Sequence, residues 1–258
     1  MQLIMTTGDW VTPEDLEVAR QVQARLLPQG TPRLSTLDCG GFCLPARCVG
    51  GDFYDFLDLG PGRVGLALGD VSGKGVSAAL MMASLQALLR SHCYEAVDDV
   101  RTPLRSVNRL FYQCTAPHHF ATLFFGDYDD SARRLRYVNC GHNPPLLVRE
   151  GGRIERLEPT ATVLGLFDDW DCDVDEVTLG AGDTLLLYSD GVVEAKDPLG
   201  QEFGEKRLIE SLAHRLHLPA EAAAQALAAV VEKFSGHVQG DDLTLLVARA
   251  EPRTAARA

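Results

Sequence analysis

The sequence predicts an α+β protein in which antiparallel sheets carry helices on their outer faces. Three observations lead there. About nine or ten strand-like apolar runs are spread along the chain. Several are joined by very short polar links, at residues 129–133 and 150–152, and such links make hairpins and therefore antiparallel pairs. The helical patterns fall in blocks rather than alternating with every strand. A single domain of 258 residues would have a radius of gyration of roughly 18 Å. It would bury about three quarters of its unfolded surface.

The elements follow in order. Thr12, Pro13, Glu14 and Asp15 form a helix start: a capping hydroxyl, a proline suited to the first turn, and two acids at the positive helix end. This helix should run to Leu27 and stop before Pro28. Val18, Ala19, Val22 and Leu26 fall on one face, and Leu16 and Leu27 widen the stripe to roughly half the circumference. A stripe that wide suits two contacts, one with the body and one with a second copy of the chain. Strands are expected at residues 37–45, 53–59 and 63–70. Residues 75–91 are almost uncharged and read as a buried helix, and a further helix is expected at 102–114. Two hairpins follow, 121–128 with 134–139 and 145–149 with 153–157. The remainder reads as a strand at 184–189, helices at 205–215 and 220–234, and a last strand at 243–248. The expected organisation is a helical lead-in over residues 1–30, a catalytic body over 31–250 and a frayed tail over 251–258.

Composition excludes several classes. The net charge of −12 disfavours a nucleic-acid binder, which needs a basic footprint, and a protein held to anionic lipid. The longest uncharged run, residues 110–126, contains Gln113, Pro117, His118 and His119 and is no membrane span. The first ten residues have neither a basic segment nor a small-residue cleavage site. The seven cysteines, Cys39, Cys43, Cys48, Cys93, Cys114, Cys140 and Cys172, include no CxxC and are odd in number. They read as small buried hydrophobes in a reducing, cytoplasmic setting. Cys39, Cys43 and Cys48 lack a fourth ligand at a useful spacing for a soft metal.

The chemistry is carried by aspartates. Gly51-Asp52, Gly69-Asp70, Ser189-Asp190-Gly191 and Gly240-Asp241-Asp242 each place an acid beside Gly or Ser at an expected strand end. Small neighbours permit sharp turns and close approach of an ion. Ligation by oxygen alone suits a hard cation such as Mg²⁺ or Mn²⁺, and the absence of recurring histidine beside these acids disfavours zinc. Without a cation, converging carboxylates would raise one another's pKa.

Val49-Gly-Gly-Asp-Phe-Tyr-Asp55, Gly69-Asp-Val-Ser-Gly-Lys-Gly75, Asn139-Cys-Gly-His-Asn-Pro-Pro145, Tyr188-Ser-Asp-Gly-Val-Val-Glu194 and Asp241-Asp-Leu-Thr-Leu-Leu246 stand in the order seen in bacterial metal-dependent Ser/Thr protein phosphatases. The chain resembles their SpoIIE-type (PPM-type) branch over residues 14–248. The helix carrying Gln23-Ala-Arg-Leu-Leu-Pro28 looks like the lead-in to that catalytic domain. The resemblance implies two stacked antiparallel sheets flanked by helices, with a two-metal Mn²⁺ or Mg²⁺ site, or three ions, at one end of the sandwich. Asp70 matches the acid bridging two ions, and the Val71 carbonyl matches a backbone ligand. Asp190 and Asp241 match ligands of one ion, and Asp52 an acid reaching the other. Asp55, Asp242 and Ser72 would stand behind these ligands. The implied reaction is hydrolysis of a phosphate monoester by a water made acidic between the ions.

Eukaryotic relatives have a histidine two residues after the bridging acid, where this chain has Ser72. A seryl hydroxyl is a poor general acid, so protonation of the leaving group would come from water on the metal. Arg47 and Lys74 are the candidates for gripping phosphate. His142 would line the cleft or brace a turn, and His118 and His119 read as loop. The implied substrate is a phosphorylated STAS-domain anti-sigma-factor antagonist in a partner-switching pathway. About a dozen residues precede the first helix, so the upstream signal would arrive through a separate protein or through expression. The alternatives are a catalytically weak phosphoprotein-binding module of the same fold, disfavoured because all the matched acids are present, and a metal-dependent nuclease or phosphodiesterase, disfavoured by an acidic chain without basic stripes.

Overall fold

The computed structural model describes residues 12–93 and 99–252. The chain opens with helix α1 (Pro13–Leu26) and strands β1 (Leu37–Leu44), β2 (Asp52–Asp58) and β3 (Arg63–Val71). Helices α2 (Val76–Cys93) and α3 (Arg101–Cys114) follow, then β4 (Ala121–Asp129), β5 (Arg134–Cys140), β6 (Leu146–Val148), β7 (Ile154–Arg156), β8 (Asp175–Thr178) and β9 (Thr184–Tyr188). The last part is α4 (Asp190–Val193), α5 (Gly204–Ala213), α6 (Ala220–Phe234) and β10 (Leu243–Ala250).

Two five-stranded sheets result, ordered β1-β10-β9-β6-β7 and β2-β3-β4-β5-β8. Every pairing between named strands is antiparallel. The period of two along each strand divides the side chains between layers. Leu66, Leu68, Phe124 and Tyr128 point between the sheets against Leu185, Leu187, Leu246 and Ala248. Their neighbours Ala67, Leu123 and Phe125 face outward under α2 and α3, meeting Met82, Leu85, Leu104 and Phe111. On the other sheet Leu186, Leu245 and Val247 face α5 and α6 through Leu208, Leu212, Leu227 and Val231. Each fully buried Leu, Val, Phe or Met side chain among them contributes about 1.5–3 kcal/mol relative to exposure. The order is therefore helices, sheet, sheet, helices, as expected.

Two elements carry no sequence pattern. Strand β8 is a mostly exposed, charged edge (Asp-Glu-Val-Thr) with no apolar alternation; it pairs with β5, where Tyr137 Oη donates to Asp175. Such an edge resists further strand addition. Helix α4 is a single turn after β9, too short for any periodicity.

Helix α1 begins at the expected cap: Thr12 Oγ1 accepts from Asp15 N and the Asp15 carboxylate accepts from Thr12 N. Of the expected stripe, Leu16, Ala19, Leu26 and Leu27 are half-buried. Val18 and Val22 are exposed, and the buried residue is Gln23. An amide can end two backbone hydrogen bonds inside the body, which valine cannot. The seven cysteines are all free; Cys48 and Cys114 are exposed rather than buried. No helix among the described residues is long and apolar enough to cross a membrane. Of the expected frayed tail, residues 253–258 lie outside the described part, as do residues 1–11 of the lead-in.

Candidate active site

The four acidic turns meet at one rim of the sandwich, two from each sheet. Asp52 opens β2 and stands directly across from Asp70 near the end of β3. Asp190 follows β9, and Asp241 and Asp242 precede β10; β9 and β10 run antiparallel, with Tyr188 opposite Leu245, so both acidic turns share an end. Close approach at this rim requires glycine. A Cβ on Gly191 would lie 2.1 Å from the Asp242 carbonyl oxygen, and one on Gly51 would lie 2.6 Å from the Val71 carbonyl oxygen. The Val71 carbonyl is thereby placed beside the turn that carries Asp52.

Electrostatics record the crowding. Burial, then the charges of Asp70 and Asp242, raise the Asp52 pKa well above the usual carboxylate range. Burial, then Asp190 and Asp241, push Asp70 up to about 7. Burial and Asp241 raise Asp190. Asp52 Oδ2 is buried with no hydrogen-bond partner, a costly condition for a polar oxygen. No three acidic, histidine or cysteine side chains among the described residues close to the spacing of a single ion's shell. Lys74 engages one of them: its Nζ donates to Asp241 Oδ2 at 2.6 Å and to the Gly240 carbonyl at 2.8 Å. The donor set of carboxylates and a carbonyl, with one orphaned buried oxygen, suits hard divalent cations.

Asp242 has a different task. Its Oδ1 accepts from Ala46 N at 2.7 Å, and its Oδ2 accepts from Gly51 N at 2.7 Å and Asp52 N at 3.2 Å. One carboxylate thus fixes the loop that carries Arg47 and delivers Asp52. Arg47 is exposed and lies against the glycine-rich turn, where a Cβ on Gly75 would be 3.5 Å from its Nη1. Arg47 therefore lies against the turn that contains Lys74, whose ammonium reaches the cluster. Ser72 Oγ accepts from Phe120 N, and Ser72 N donates to the Phe120 carbonyl; the hydroxyl ties two turns together.

Asp55 is not brought to the cluster. Being three residues from Asp52, it faces the opposite side of β2. There, 2% exposed, it accepts from Arg90 Nε at 2.6 Å and from Gln86 Nε2 at 3.0 Å. Those two side chains also donate to the Leu26 carbonyl at the end of α1. His142 is buried beneath the rim: its backbone N–H donates to Asn139 Oδ1, and its Nδ1 pairs with Thr122 Oγ1 at 2.8 Å. It braces the turn after β5, and burial lowers its pKa to about 4. His118 and His119 lie in the loop before β4, their rings 4.7 Å apart and tilted by 38°.

Sequence reasoning missed Gln23. Its Nε2 donates to the Gly50 carbonyl at 2.7 Å, and its Oε1 accepts from Gly50 N at 3.0 Å. Helix α1 is thus bonded to the residue two before Asp52. The available signal was an amide one turn after Ala19, on the apolar side of a capped helix that also carries Gln21.

The family model described as Stage II sporulation protein E (SpoIIE) matches residues 60–251. The chain belongs to the SpoIIE family. Protein IcfG of Synechocystis sp. is 32% identical over 92% of this chain, which spans 42% of IcfG. Phosphoserine phosphatase RsbU of Bacillus subtilis is 29% identical, over 91% of this chain and 70% of RsbU. The crystal structure of the RsbU and RsbW domains of Rv1364c from Mycobacterium tuberculosis superposes with a TM-score of 0.77 at 28% identity, covering 90% of this chain and 64% of that one. The architecture of this SpoIIE-family chain is that of PPM-type phosphatases.

Proposed function

We propose that the chain is a Mn²⁺- or Mg²⁺-dependent Ser/Thr phosphoprotein phosphatase that acts on a phosphorylated STAS-domain antagonist in a partner-switching pathway. The observation that carries the reading is the rim of four carboxylates drawn from both sheets, with a buried Asp52 oxygen that no protein donor satisfies. Asp52, Asp70, Asp190, Asp241 and the Val71 carbonyl would hold two divalent cations, with room in the family for a third. Bound there, such cations supply the Lewis acidity and charge neutralisation that phosphate-ester hydrolysis demands.

The chain's own side chains do the rest. Asp242 holds the 46–52 loop so that Arg47 stands over the glycine-rich turn, where its guanidinium would grip the phosphoryl oxygens. Lys74 belongs to that turn, and its ammonium reaches Asp241. In the overall reaction the water oxygen bonds to phosphorus, the bond from phosphorus to the seryl oxygen breaks, and that oxygen takes up a proton. Ser72 is bonded to Phe120 and His142 is buried, so neither is taken as the acid for that last step, and water is taken to supply the proton. The exposed Val18 and Val22 on α1 support a homodimer contact through that helix. The related RsbU is a phosphoserine phosphatase by name, which supports the substrate chemistry.

The test is incubation of the purified protein with phosphorylated STAS-domain proteins, with Mn²⁺ and with excess chelator. Release of phosphate only with Mn²⁺ or Mg²⁺ is expected. Binding without release under all metal conditions would instead indicate a phosphoprotein-binding module.

A further inference from the structure

A cleft of about 490 Å³ opens directly beside the carboxylate rim, with Lys74 and Asp241 in its inner wall. Its volume falls in the range of built ligand clefts, which run from about 300 to 1,000 Å³. The mechanism above uses only that inner wall. We propose that the remainder is the docking groove for the stretch of phosphoprotein flanking the phosphorylated residue, and that it selects an apolar side chain there. The inference rests on the phosphatase reading of the adjoining rim.

Four observations carry it. First, the groove is continuous with the rim: the loop forming one wall, residues 235–240, runs directly into Asp241. A phosphoseryl group at the rim therefore places its neighbours along this groove. Second, both walls are built before any partner arrives. In the outer wall the Asp197 carboxylate accepts from Leu199 N and Gln201 N, each at 2.9 Å, and Lys196 bridges to Glu202. In the facing wall His237 holds a left-handed backbone with φ 63°, a conformation non-glycine residues rarely keep without reason. That wall is anchored by His237 N to the Glu232 carbonyl and by Gln239 Nε2 to the Leu44 carbonyl.

Third, the groove presents apolar surface. Val231 and Leu243 are buried and form the floor beneath the walls, so the accessible apolar surface is at the rim of the groove. On the facing wall Val238 is 74% exposed, and Leu199, next to the lining residue Pro198, is 85% exposed. Single exposed apolar residues are ordinary; Val238, in the lining of a preformed cleft beside a reaction site, gains from covering by a partner's side chain, and Leu199 stands one residue beyond that lining. Fourth, charge selects among flanks. Glu194, Asp197 and Glu232 outnumber Lys196 in the part of the lining beyond the inner wall, so an acidic flank is repelled and a neutral or basic one is accepted.

The test uses synthetic phosphoserine peptides in Mn²⁺ buffer, with a leucine moved one position at a time along either side of the phosphoserine in a polar background. An aspartate series runs in parallel. The control is p-nitrophenyl phosphate, which has no flanking chain. One leucine position should raise kcat/KM about tenfold, the worth of covering a single apolar side chain, and aspartate there should lower it. Val238→Asp and Leu199→Asp, at exposed positions that folding tolerates, should erase that preference while the aryl phosphate rate stays within about twofold. A flat leucine series in the native protein, or a preference that survives both substitutions, overturns the proposal. If neither substrate is hydrolysed, the phosphatase reading fails by itself. Peptide binding by fluorescence anisotropy then decides the groove: weaker binding to Val238→Asp supports it and equal binding overturns it.

Discussion

Replacing Asp242 by alanine removes one carboxylate that accepts three backbone N–H groups, from Ala46 and Gly51 at 2.7 Å and from Asp52 at 3.2 Å. Hydrogen bonds to a charged acceptor contribute about 1.5–3 kcal/mol each. Counting only the two short ones gives a loss of about 3 kcal/mol, an upper figure in chelator because losing Asp242 also relieves its repulsion of Asp52, Asp70 and Asp190. In a domain of this size that corresponds to a fall in Tm of about 6–12 °C. Asp242→Asn keeps the shape but turns an amide N–H toward one of the loop donors, so it recovers less than half of the loss. The assay is thermal unfolding in chelator, where ion binding makes no contribution. The loop also carries Arg47, so kcat/KM for a phosphopeptide should fall more than about tenfold. Asp242→Ala with unchanged Tm in chelator but weakened Mn²⁺ binding would refute the argument and make Asp242 a ligand instead of a loop clamp.

Gln23→Ala should destabilise by about 2 kcal/mol, since the buried Gly50 N–H and carbonyl both lose their partner; hydrogen exchange at Gly50 and Gly51 should accelerate, and unchanged protection there would show that α1 is only a leader. Arg47→Ala should lower kcat/KM by about 10- to 150-fold, the worth of one charge-assisted phosphate contact, while calorimetry finds Mn²⁺ binding intact. His142 is held neutral by burial, its pKa lowered from 6.5 to about 4. The unfolded chain therefore binds the extra proton first, and this residue's contribution, about 3 kcal/mol at most, is lost as pH falls from 6.5 through 4. Asp52, Asp70 and Asp190 are raised instead, so in chelator they favour the folded state as pH falls. That opposite trend is common to native protein and His142→Asn and cancels in the difference. The native protein should lose stability relative to the variant across that window; identical pH profiles would contradict the burial argument.

Much of this was legible in the sequence because the deciding features are local. Gly and Ser beside each aspartate mark strand ends, and strand ends of antiparallel sheets collect at a rim; Asp52 and Asp70 stand opposite each other for that reason. Alternation identified the strands whose two faces meet different layers. Strand β8 escaped because an exposed edge carries charge instead of alternation. Asp55 shows the limit of motif reasoning: it shares a motif with Asp52, yet an odd separation along β2 sends it to Arg90 and Gln86 on the far face. Gln23, on the inward face of α1, escapes a count of apolar residues. Its two bonds to Gly50 span 27 positions, and nothing local to the helix encodes such a partner.

The central claim is that the carboxylate rim holds divalent cations and that these are needed for phosphate-ester hydrolysis. Calorimetric titration of Mn²⁺ into native protein and Asp70→Asn, paired with the rate of p-nitrophenyl phosphate hydrolysis in Mn²⁺ and in excess chelator, tests it most directly. The account predicts Mn²⁺ binding and turnover by the native protein. It predicts loss of turnover in chelator, and for Asp70→Asn a loss of both affinity and rate well beyond the 10- to 100-fold typical of residues that only support a ligand. Native-like Mn²⁺ affinity and turnover in Asp70→Asn, or full activity in chelator, would contradict it.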